Sequence, residues 1–351
     1  MNRKRTVIDF FAGSGLASLG LSDYFSPVWA NDISEKKAKV YTSNHDTTFI
    51  LDSIENIKGK ALPVANLLWG SFPCQDLSLA GRQSGINGKR SGLFWEWIRV
   101  IDELTYKPQT IVAENVVGLL SKNQGSDFKI VHDSFVKRGY SVGTLILDAS
   151  LWLPQSRKRI FLIAVREDID IHNFKTNDYT WAHPAILRNA LDRNKIKQIN
   201  WNLSKPVKRQ LDISDIFDRK ALVFSAEETN NLISLIPDTH KNELHSHATG
   251  IFPAYKRIRN KKQVLELRFD GLSGCLRTPS GGSSRQILII KDHNKLSARL
   301  LSIMELKRLM GAPDFYKLPG TYNDAYYAMG DAVAVPVVNF LAKELLFPVI
   351  G

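Results

Sequence analysis

The sequence predicts an α/β fold with a mostly parallel sheet, and two features support this. Short apolar runs alternate with helical apolar patterns over residues 5–165, the rhythm of strands joined by crossover helices. A glycine-containing turn, Ala12-Gly13-Ser14-Gly15, separates the first run from the first helical pattern. Residues 166–295 are rich in Lys, Asn, Asp and His with weaker periodicity, which indicates a second, smaller and more irregular domain.

The elements follow in order along the chain. The predicted strands are Thr6–Phe11, Pro27–Ala30, Asn66–Gly70, Thr110–Ala113, Gly143–Leu147 and Arg159–Val165. Helical patterns cover Leu16–Leu21 and the stretch around Ala38 and Tyr41. A helical pattern returns from Ser297, and the chain closes with an apolar helix over Val333–Leu346.

Composition restricts the class of protein. The chain of 351 residues is long enough for a large domain and a smaller one. No apolar run of about 18 residues occurs, so no membrane span is expected, and the basic N-terminus runs directly into the first strand, unlike a signal peptide. Two cysteines, Cys74 and Cys275, favour a reducing cytoplasm over a disulfide framework. The net charge of +12 favours a polyanionic partner such as nucleic acid, although a basic surface alone is common.

The first glycine turn is typical of a nucleotide-type ligand site. Backbone N–H groups at such a turn can approach a ligand closely, and an acidic residue after the next strand, here Asp32, can bind a ribose diol. The motif is not a full dinucleotide fingerprint, so a tight turn with an exposed aspartate explains it about as well. A nucleoside cofactor is one expectation, and NAD is not favoured.

Cys74 is the candidate nucleophile. It follows the predicted strand Asn66–Gly70 in the sequence Gly-Ser-Phe-Pro-Cys-Gln, which places it at the carboxyl end of the sheet, where sites in α/β proteins usually lie. A lone cysteine is more often a small buried hydrophobe. The polar neighbours Ser71, Gln75 and Ser78 weaken that alternative.

Two further polar groups adjoin predicted strands. Glu114 follows the strand Thr110–Ala113, a suitable place for acid–base work, although a salt-bridged or capping glutamate is by itself the commoner case. Arg157 and Arg159 alternate before the last strand, so in an extended segment they would share one face. That face could present two cations to a phosphate or a base, or it could be an ordinary basic edge.

The order of these motifs resembles the cytosine-C5 DNA methyltransferase family. The glycine turn is followed by Pro73-Cys74-Gln75, then Glu114-Asn115-Val116, then Gln155-x-Arg157-x-Arg159. Two C-terminal segments extend the match: Arg299–Glu305 ending at Gly311–Asp314, and Tyr327–Val333. The resemblance covers about residues 5–165 and 275–346 and implies a Rossmann-like S-adenosylmethionine-dependent methyltransferase fold.

The resemblance implies S-adenosylmethionine as cofactor, S-adenosylhomocysteine as product, and no metal. Asp32 would take the ribose hydroxyls, Ile33 and Asp52 would meet the adenine, and the turn would line the methionine side. The full set of implied cofactor residues is Phe10, Ala12, Gly13, Gly15, Asp32, Ile33, Asp52 and Asp331. Asp331 stands where the family usually has asparagine, and Ala312 in Gly311-Ala312-Pro313 replaces a common phenylalanine.

The catalytic residues implied are Cys74 as nucleophile, Glu114 at N3 of cytosine, Arg159 at the base carbonyl and Arg157 as a supporting contact. The cytosine would have to flip out of the duplex to reach them. The Gly-rich basic segment 79–92 is a hypothetical clamp over the DNA or, alternatively, an ordinary surface loop. The implied DNA contacts are Gln75, Ser78, Arg82, Gln83, Ser84, Arg277 and Arg285.

The resemblance also implies a discontinuous catalytic domain, 1–168 and 296–351, with a target-recognition domain over 169–295 between its parts. The implied substrate is double-stranded DNA, methylated by a monomeric cytoplasmic enzyme of bacterial or phage origin, without membrane contact. A restriction-modification role is expected, and a companion endonuclease acting on the same site without a stable complex is compatible with it.

Three alternatives remain open from the residues. An RNA cytosine-C5 methyltransferase shares the fold and both the Pro-Cys-Gln and Glu-Asn-Val motifs, although the long variable region favours DNA. A catalytically inactive DNA-binding module is disfavoured because every catalytic motif residue is present. A thiol hydrolase would pair Cys74 with a histidine, but His45, His132 and His183 have no supporting motif.

Overall fold

The computed structural model describes residues 5–73, 92–278 and 285–351. The chain forms two compact units, each assembled from separate segments. The first comprises Met1–Leu147, Lys158–Pro206 and Val337–Gly351, and the second comprises Asp148–Arg157 and Val207–Pro336.

A seven-stranded sheet forms the centre of the first unit. Its strands are β1 (Arg5–Phe10), β2 (Phe25–Asp32), β3 (Thr48–Leu51), β4 (Leu67–Gly70), β5 (Thr110–Val116), β6 (Tyr140–Asp148) and β7 (Lys158–Arg166). The order across the sheet is β3-β2-β1-β4-β5-β7-β6. The pairings from β3 to β5 are parallel, whereas β7 runs antiparallel to β5. All four residues of β4 are buried, as expected of a central parallel strand covered on both faces.

Helices cover this sheet. They are α1 (Leu16–Leu21), α2 (Glu35–Asn44), α3 (Leu93–Glu103), α4 (Ser126–Val136), α5 (Ala185–Arg193), α10 (Val335–Leu341) and α11 (Phe347–Ile350), of which α10 begins in the second unit. A short pair, β8 (Lys175–Thr176) and β9 (Asn200–Trp201), lies on the same unit. Helix α3 shows why the core forms, because Phe94, Trp97, Ile98 and Ile101 recur at helical spacing and are all buried.

The second unit contains an antiparallel sheet ordered β11-β10-β12-β13. Its strands are β10 (Thr249–Arg259), β11 (Lys262–Leu267), β12 (Ile287–Asp292) and β13 (Lys295–Leu300). Its helices are α6 (Ala226–Ser234), α7 (Asp238–Ser246), α8 (Ile303–Leu309) and α9 (Tyr322–Asp331). Leu232, Leu244, Ile289 and Ala298 are among the buried residues that form its own hydrophobic core.

The compact units divide the chain at other points than the predicted domains. Residues 169–206 belong to the first unit, because α5 buries Leu187 in the main core and Ile199 donates its N–H to the carbonyl of Val142 in β6. Residues 296–336 belong to the second unit, because β13 pairs with β12 along its whole length.

The helix expected from Ser297 is wrong in its first residues. Ser297 lies within strand β13, and the helix begins only at Ile303. Ser302 and Glu305 form a reciprocal capping box at that point, a local signal that fixes a helix start. Leucines lie on both sides of this capping box, so the sequence showed one continuous helical pattern where the structure has a strand followed by a helix.

The stretch Tyr322–Ile350 has the length and composition of a membrane span, with a mean hydropathy of 1.8 over its most apolar window. However, 56% of that window is buried inside the protein, and α9 ends at Asp331 before α10 begins at Val335. Buried core helices of soluble proteins have the same length and apolar composition, so this stretch is weak evidence for a membrane span.

Candidate active site

The candidate residues of the first unit gather at one edge of the seven-stranded sheet. Strands β1, β2, β4 and β5 are parallel, so their carboxyl ends share this edge. Strand β1 lies between β2 and β4, so the chain leaves it in one direction and returns on its other side. Ligands of open α/β sheets bind in the crevice at such a switch point.

The glycine turn after β1 has a fixed backbone. Gly13 and Gly15 have φ values of +55° and +82°, in the left-handed region that glycine tolerates best. Ala12 donates its N–H to the carbonyl of Asn31 at 2.9 Å, and Gly13 donates to Asp32 Oδ2 at 2.9 Å. The turn is therefore held against the end of β2.

Two acidic groups follow the neighbouring strands. Asp32 ends β2, and its carboxylate accepts from Gly13 N–H through one oxygen and from Ser34 N–H at 2.8 Å through the other. Asp52 follows β3 and accepts from Ser53 N–H and from the Asn56 side chain, each at 2.7 Å. Both carboxylates are thus oriented by neighbours before any ligand binds.

Ile33 is the apolar group beside these acids. The residue is 71% exposed, so its side chain is accessible to a ligand. Because Ile33 directly follows Asp32, it can offer an adenine ring a hydrophobic contact next to the acid that the sequence assigns to the ribose.

Phe10 does not contribute its side chain to this edge, contrary to the sequence-based assignment. It is the last residue of β1 and is fully buried, with its ring 5.3 Å from Trp29 and 6.1 Å from Trp97. Phe11 begins the turn, is only partly buried and has a φ of +54°. A non-glycine residue in this region is uncommon, and Phe11 is the aromatic residue of the turn itself, which the sequence-based assignment did not include.

The segment that leads from β4 toward Cys74 is anchored on both sides. Gly70 packs so closely on the Trp97 ring that a Cβ would lie 2.4 Å from it. Phe72 is buried and stacks on the same ring at 6.0 Å. The Asn115 side chain donates a 2.9 Å hydrogen bond to the Phe72 carbonyl, which connects this segment to β5.

Glu114 and Arg159 form an ion pair at the same edge. Glu114 lies on β5 and Arg159 on β7, and the antiparallel register places Arg159 opposite Val116. Arg159 Nε lies 3.2 Å from Glu114 Oε1, with 14% of the arginine side chain and 8% of the glutamate side chain exposed. Arg159 also donates to the Lys158 carbonyl at 2.9 Å. The pair presents a carboxyl and a guanidinium next to the segment that carries residue 74.

The arrangement matches a known family over nearly the whole chain. The family model described as C-5 cytosine-specific DNA methylase matches residues 5–346. The chain belongs to this family. It is therefore a DNA methyltransferase that acts on carbon 5 of cytosine, as the sequence motifs predicted.

Individual relatives agree with this family. The type II methyltransferase M.Bsp6I of Bacillus sp. (strain RFL6) is 27% identical over 97% of this chain and 98% of its own. The type II methyltransferase M.FnuDI of Fusobacterium nucleatum is 29% identical over 97% of this chain and 93% of its own. Among solved structures, the Entamoeba histolytica methyltransferase EhMeth superposes with a TM-score of 0.67 at 18% identity, covering 99% of both chains. That similarity confirms the predicted fold class.

The methyltransferase family uses S-adenosylmethionine as methyl donor, and the carboxyl edge fits such a ligand. The exposed Ile33, the two oriented carboxylates and the left-handed glycine turn together offer an apolar contact, hydrogen-bond acceptors and close backbone approach. Among the described residues, no three His, Cys, Asp or Glu side chains cluster as a metal site would require.

The catalytic assignment of Arg157 in this methyltransferase is not supported by its surroundings. Its side chain is 1% exposed and lies in the second unit. The guanidinium donates to the carbonyls of Leu276 at 2.9 Å and Gly330 at 2.8 Å, to the Ala332 carbonyl, and to the Cys275 sulfur at 3.2 Å. Arg157 thus donates to backbone carbonyls, and its catalytic assignment stays a prediction.

Three other assigned residues also lie in the second unit. Arg277 is exposed, and the backbone between Arg277 and Thr278 packs directly on Gly330, where a Cβ would approach within 3.3 Å. Arg285 donates to the Asn323 side chain at 2.6 Å. Asp331 is exposed at the end of α9. Their contacts to DNA or cofactor stay predictions.

The remaining assigned residues fall outside the described ranges. They are the nucleophile and the DNA contacts that follow it, namely Cys74, Gln75, Ser78, Arg82, Gln83 and Ser84.

Proposed function

We propose that this enzyme methylates cytosine within one short duplex sequence, with Cys74 as covalent nucleophile and the target base flipped out of the helix. The Glu114–Arg159 ion pair carries the proposal. It lies at the carboxyl edge, on the strand that Asn115 ties to the segment before residue 74. Activation of cytosine requires a carboxyl and a guanidinium in addition to the nucleophile, and this pair supplies the first two.

For the cofactor, we assign the turn residues Ala12, Gly13 and Gly15 to the methionine part, with Phe11 in place of Phe10. Asp32 would bind the ribose hydroxyls. Ile33 and Asp52 would contact the adenine ring and its amine, and the exposed Asp331 is assigned to the same ligand from the last motif. S-adenosylmethionine, when bound, supplies an electrophilic methyl group on a sulfonium sulfur.

The chemistry begins with the nucleophile. Carbon 5 of cytosine is unreactive because the ring is aromatic and electron-poor. The Cys74 thiolate adds to C6, a C–S bond forms, and the electron pair of the C5=C6 bond becomes available at C5. C5 then takes the methyl group, the C5 proton leaves to a base, and the C–S bond breaks to restore the ring and the thiolate.

Glu114 and Arg159 stabilise the charge that develops during the addition. In its protonated form, the Glu114 carboxyl donates a hydrogen bond to N3 as negative charge accumulates there, and the guanidinium holds the carbonyl oxygen. Because the pair is largely buried, its electrostatic effect is screened less than it would be at an open surface. The pairing keeps both groups in position before the base arrives.

A cytosine within a duplex cannot reach this edge unless it leaves the base stack, at a cost of about a few kcal/mol. The net charge of +12 favours binding to the DNA backbone, which can offset this cost. We assign the contacts near the flipped nucleotide to Gln75, Ser78 and the segment 79–92. Base recognition is assigned to the second unit, with Arg277 and Arg285 as contacts.

The biological role we propose is protection of host DNA. Both curated relatives carry the name type II methyltransferase, which supports a restriction-modification system. A partner endonuclease would act on the same sequence without forming a stable complex. The enzyme would act as a cytoplasmic monomer without membrane contact.

The test is transfer of labelled methyl groups from S-adenosylmethionine to duplex DNA, and in parallel to transfer RNA, by the wild type and Cys74→Ala. Bisulfite sequencing then locates the product. We expect 5-methylcytosine in one short DNA sequence and none with Cys74→Ala. Labelling of RNA alone would contradict the DNA substrate, and full activity of the variant would contradict the covalent mechanism.

A further inference from the structure

A chain of buried polar side chains lies beneath the glycine turn. Ser18 donates a hydrogen bond to Asp9 Oδ2 at 2.7 Å, and its oxygen lies 2.9 Å from the Tyr41 hydroxyl. All three residues have no exposed surface. None of them has a role in the chemistry proposed above, yet burying three polar groups is costly unless they are paired.

These side chains connect the elements around the turn. Asp9 lies on β1 before it, Ser18 on the first turn of α1 after it, and Tyr41 on α2. The Tyr41 ring packs against the His45 ring at 4.6 Å, and His45 hydrogen-bonds to the backbone of Gly15. The turn is therefore held by contacts from α2 in addition to the hydrogen bonds that Asn31 and Asp32 supply.

Asp9 is the member of this hydrogen-bonded set whose charge can change near neutral pH. Its other oxygen, Oδ1, is buried and has no hydrogen-bond partner among the described residues. Burial raises the pKa of Asp9 to about 7, with a further increase from the nearby Asp32 and an opposing effect of the Ser18 hydrogen bond. The carboxyl therefore changes charge close to neutral pH.

We propose that Asp9, Ser18 and Tyr41 form a positioning relay that sets how tightly the glycine turn holds the cofactor. The inference rests on the proposed function, since the turn is assigned there to S-adenosylmethionine. An ionised carboxylate is the stronger acceptor, so it holds Ser18, and with it the start of α1, more firmly than a protonated one. The cofactor thus binds more tightly when Asp9 is ionised.

Two other titratable groups around Asp9, His45 and Tyr41, do not change charge in the same range. Burial lowers the pKa of His45 to about 4, so its ring is neutral at neutral pH. Burial, aided by the charge of Asp9, raises the pKa of Tyr41 above its usual range, so its hydroxyl stays protonated. Asp32 is the acidic neighbour whose charge opposes the ionisation of Asp9.

The test is calorimetric titration of the full chain with S-adenosylhomocysteine between about pH 6 and pH 8. For the wild type, Kd should fall about two- to tenfold as pH rises, the range that one hydrogen bond is worth. Asp9→Asn should not show this fall of Kd with rising pH. Asp23→Asn is the matched control, because Asp23 is exposed and lies outside the relay. The amino group of the ligand titrates alike in all variants, so the difference from Asp9→Asn isolates Asp9.

A second pair of variants keeps the test valid if Asp9→Asn does not fold. Tyr41→Phe should weaken binding about two- to tenfold, whereas Tyr24→Phe, which removes a hydroxyl from a ring packed on Phe347, should not. The relay would be overturned if Asp9→Asn showed the same change of Kd with pH as the wild type. It would also be overturned if Tyr41→Phe and Tyr24→Phe bound the ligand equally tightly. No binding at any pH would instead overturn the assigned cofactor site.

Discussion

Asn115 donates a hydrogen bond to the carbonyl oxygen of Phe72 at 2.9 Å and so joins two strands of the candidate site. Its neighbour Glu114 forms the ion pair with Arg159, and Phe72 lies two residues before Cys74. One amide therefore fixes the segment before the nucleophile relative to the strand that carries the acid. Both ends of this connection are buried, so water cannot easily replace it.

Asn115→Asp should lower kcat about 10- to 100-fold, because the side chain keeps its size but loses the donor, and small misplacements of reacting groups cost rates of this order. Binding of S-adenosylhomocysteine should stay close to that of the wild type. Asn44→Asp is the control, since Asn44 donates to the Val40 carbonyl at the end of α2, away from Glu114 and Phe72. An unchanged kcat in Asn115→Asp would show that the connection does not matter for catalysis.

Glu114→Gln should lower kcat by about 10²- to 10⁴-fold, the usual contribution of an acid–base group. The amide preserves the shape of the side chain, so the stability and the cofactor affinity should change little. The measurement is single-turnover methyl transfer with saturating cofactor and DNA. Glu344→Gln, a partly exposed site on the C-terminal helical segment, is the control. A fall in DNA affinity with normal turnover would contradict the assigned role.

Arg157→Ala should act on stability and not on chemistry. The substitution leaves buried carbonyls of Leu276, Gly330 and Ala332 without their donor, at about 1–3 kcal/mol for each one that water does not reach. Urea unfolding should show the loss. Arg166→Ala, which breaks an exposed pair with Asp168, should cost far less. Wild-type stability with no methyl transfer would restore the catalytic assignment of Arg157.

Arg99→Ala should weaken cofactor binding from a distance. Arg99 donates to the carbonyls of Ile54, Glu55 and Ile57, directly after the adenine-assigned Asp52, and pairs with Glu96 and Glu103 on its own helix. Without it the segment after β3 loses three hydrogen bonds to α3 and keeps the one from Gly59 N–H to the Glu103 carboxylate at 2.8 Å. We expect Kd for S-adenosylhomocysteine to rise about two- to tenfold. Unchanged Kd would mean that the segment is held by its own packing.

The stability of the wild type relative to Asp9→Asn should depend on pH. The folded pKa of Asp9 is raised to about 7 from an ordinary value of 3.8, so the contribution of Asp9 to the free energy of unfolding is most favourable below pH 3.8 and is lost as pH rises through about 7. Urea titrations between about pH 5 and pH 8 should therefore show the wild type losing stability relative to Asp9→Asn. A constant difference would contradict this.

The sheet of the first unit was predictable because its signals are local. Each predicted strand from Thr6–Phe11 to Arg159–Val165 lies largely within an observed strand, since a buried parallel strand appears in the sequence as a continuous apolar run. The edge strand Thr48–Leu51 was missed, because its outer residues are exposed and its run is short.

The second unit was less predictable, although two-residue turns join β10 to β11 and β12 to β13. Strand β10 mixes buried Phe252 and Ala254 with the exposed charges of Arg257 and Arg259, so composition alone suggested irregular structure. The capping box at Ser302 and Glu305 was a usable signal that the apolar pattern concealed.

Within the site, motif order assigned both Glu114 and Arg159 to the target base, and in the structure they form an ion pair at 3.2 Å. It could not separate Phe10 from Phe11, because that choice depends on where the strand ends and the left-handed turn begins. It also did not distinguish the surroundings of Arg157, which donates to buried backbone carbonyls, from those of Arg159, which pairs with Glu114.

The covalent bond between Cys74 and C6 of cytosine can be tested by trapping it. Duplex DNA in which 5-fluorocytosine replaces cytosine should trap the enzyme, because the fluorine at C5 cannot leave as a proton does and the bond between Cys74 and C6 persists. With S-adenosylmethionine present, a denaturing gel should show a protein–DNA complex for the wild type and none for Cys74→Ala. Methyl transfer to ordinary DNA without any trapped complex, or a complex that persists in Cys74→Ala, would contradict the mechanism.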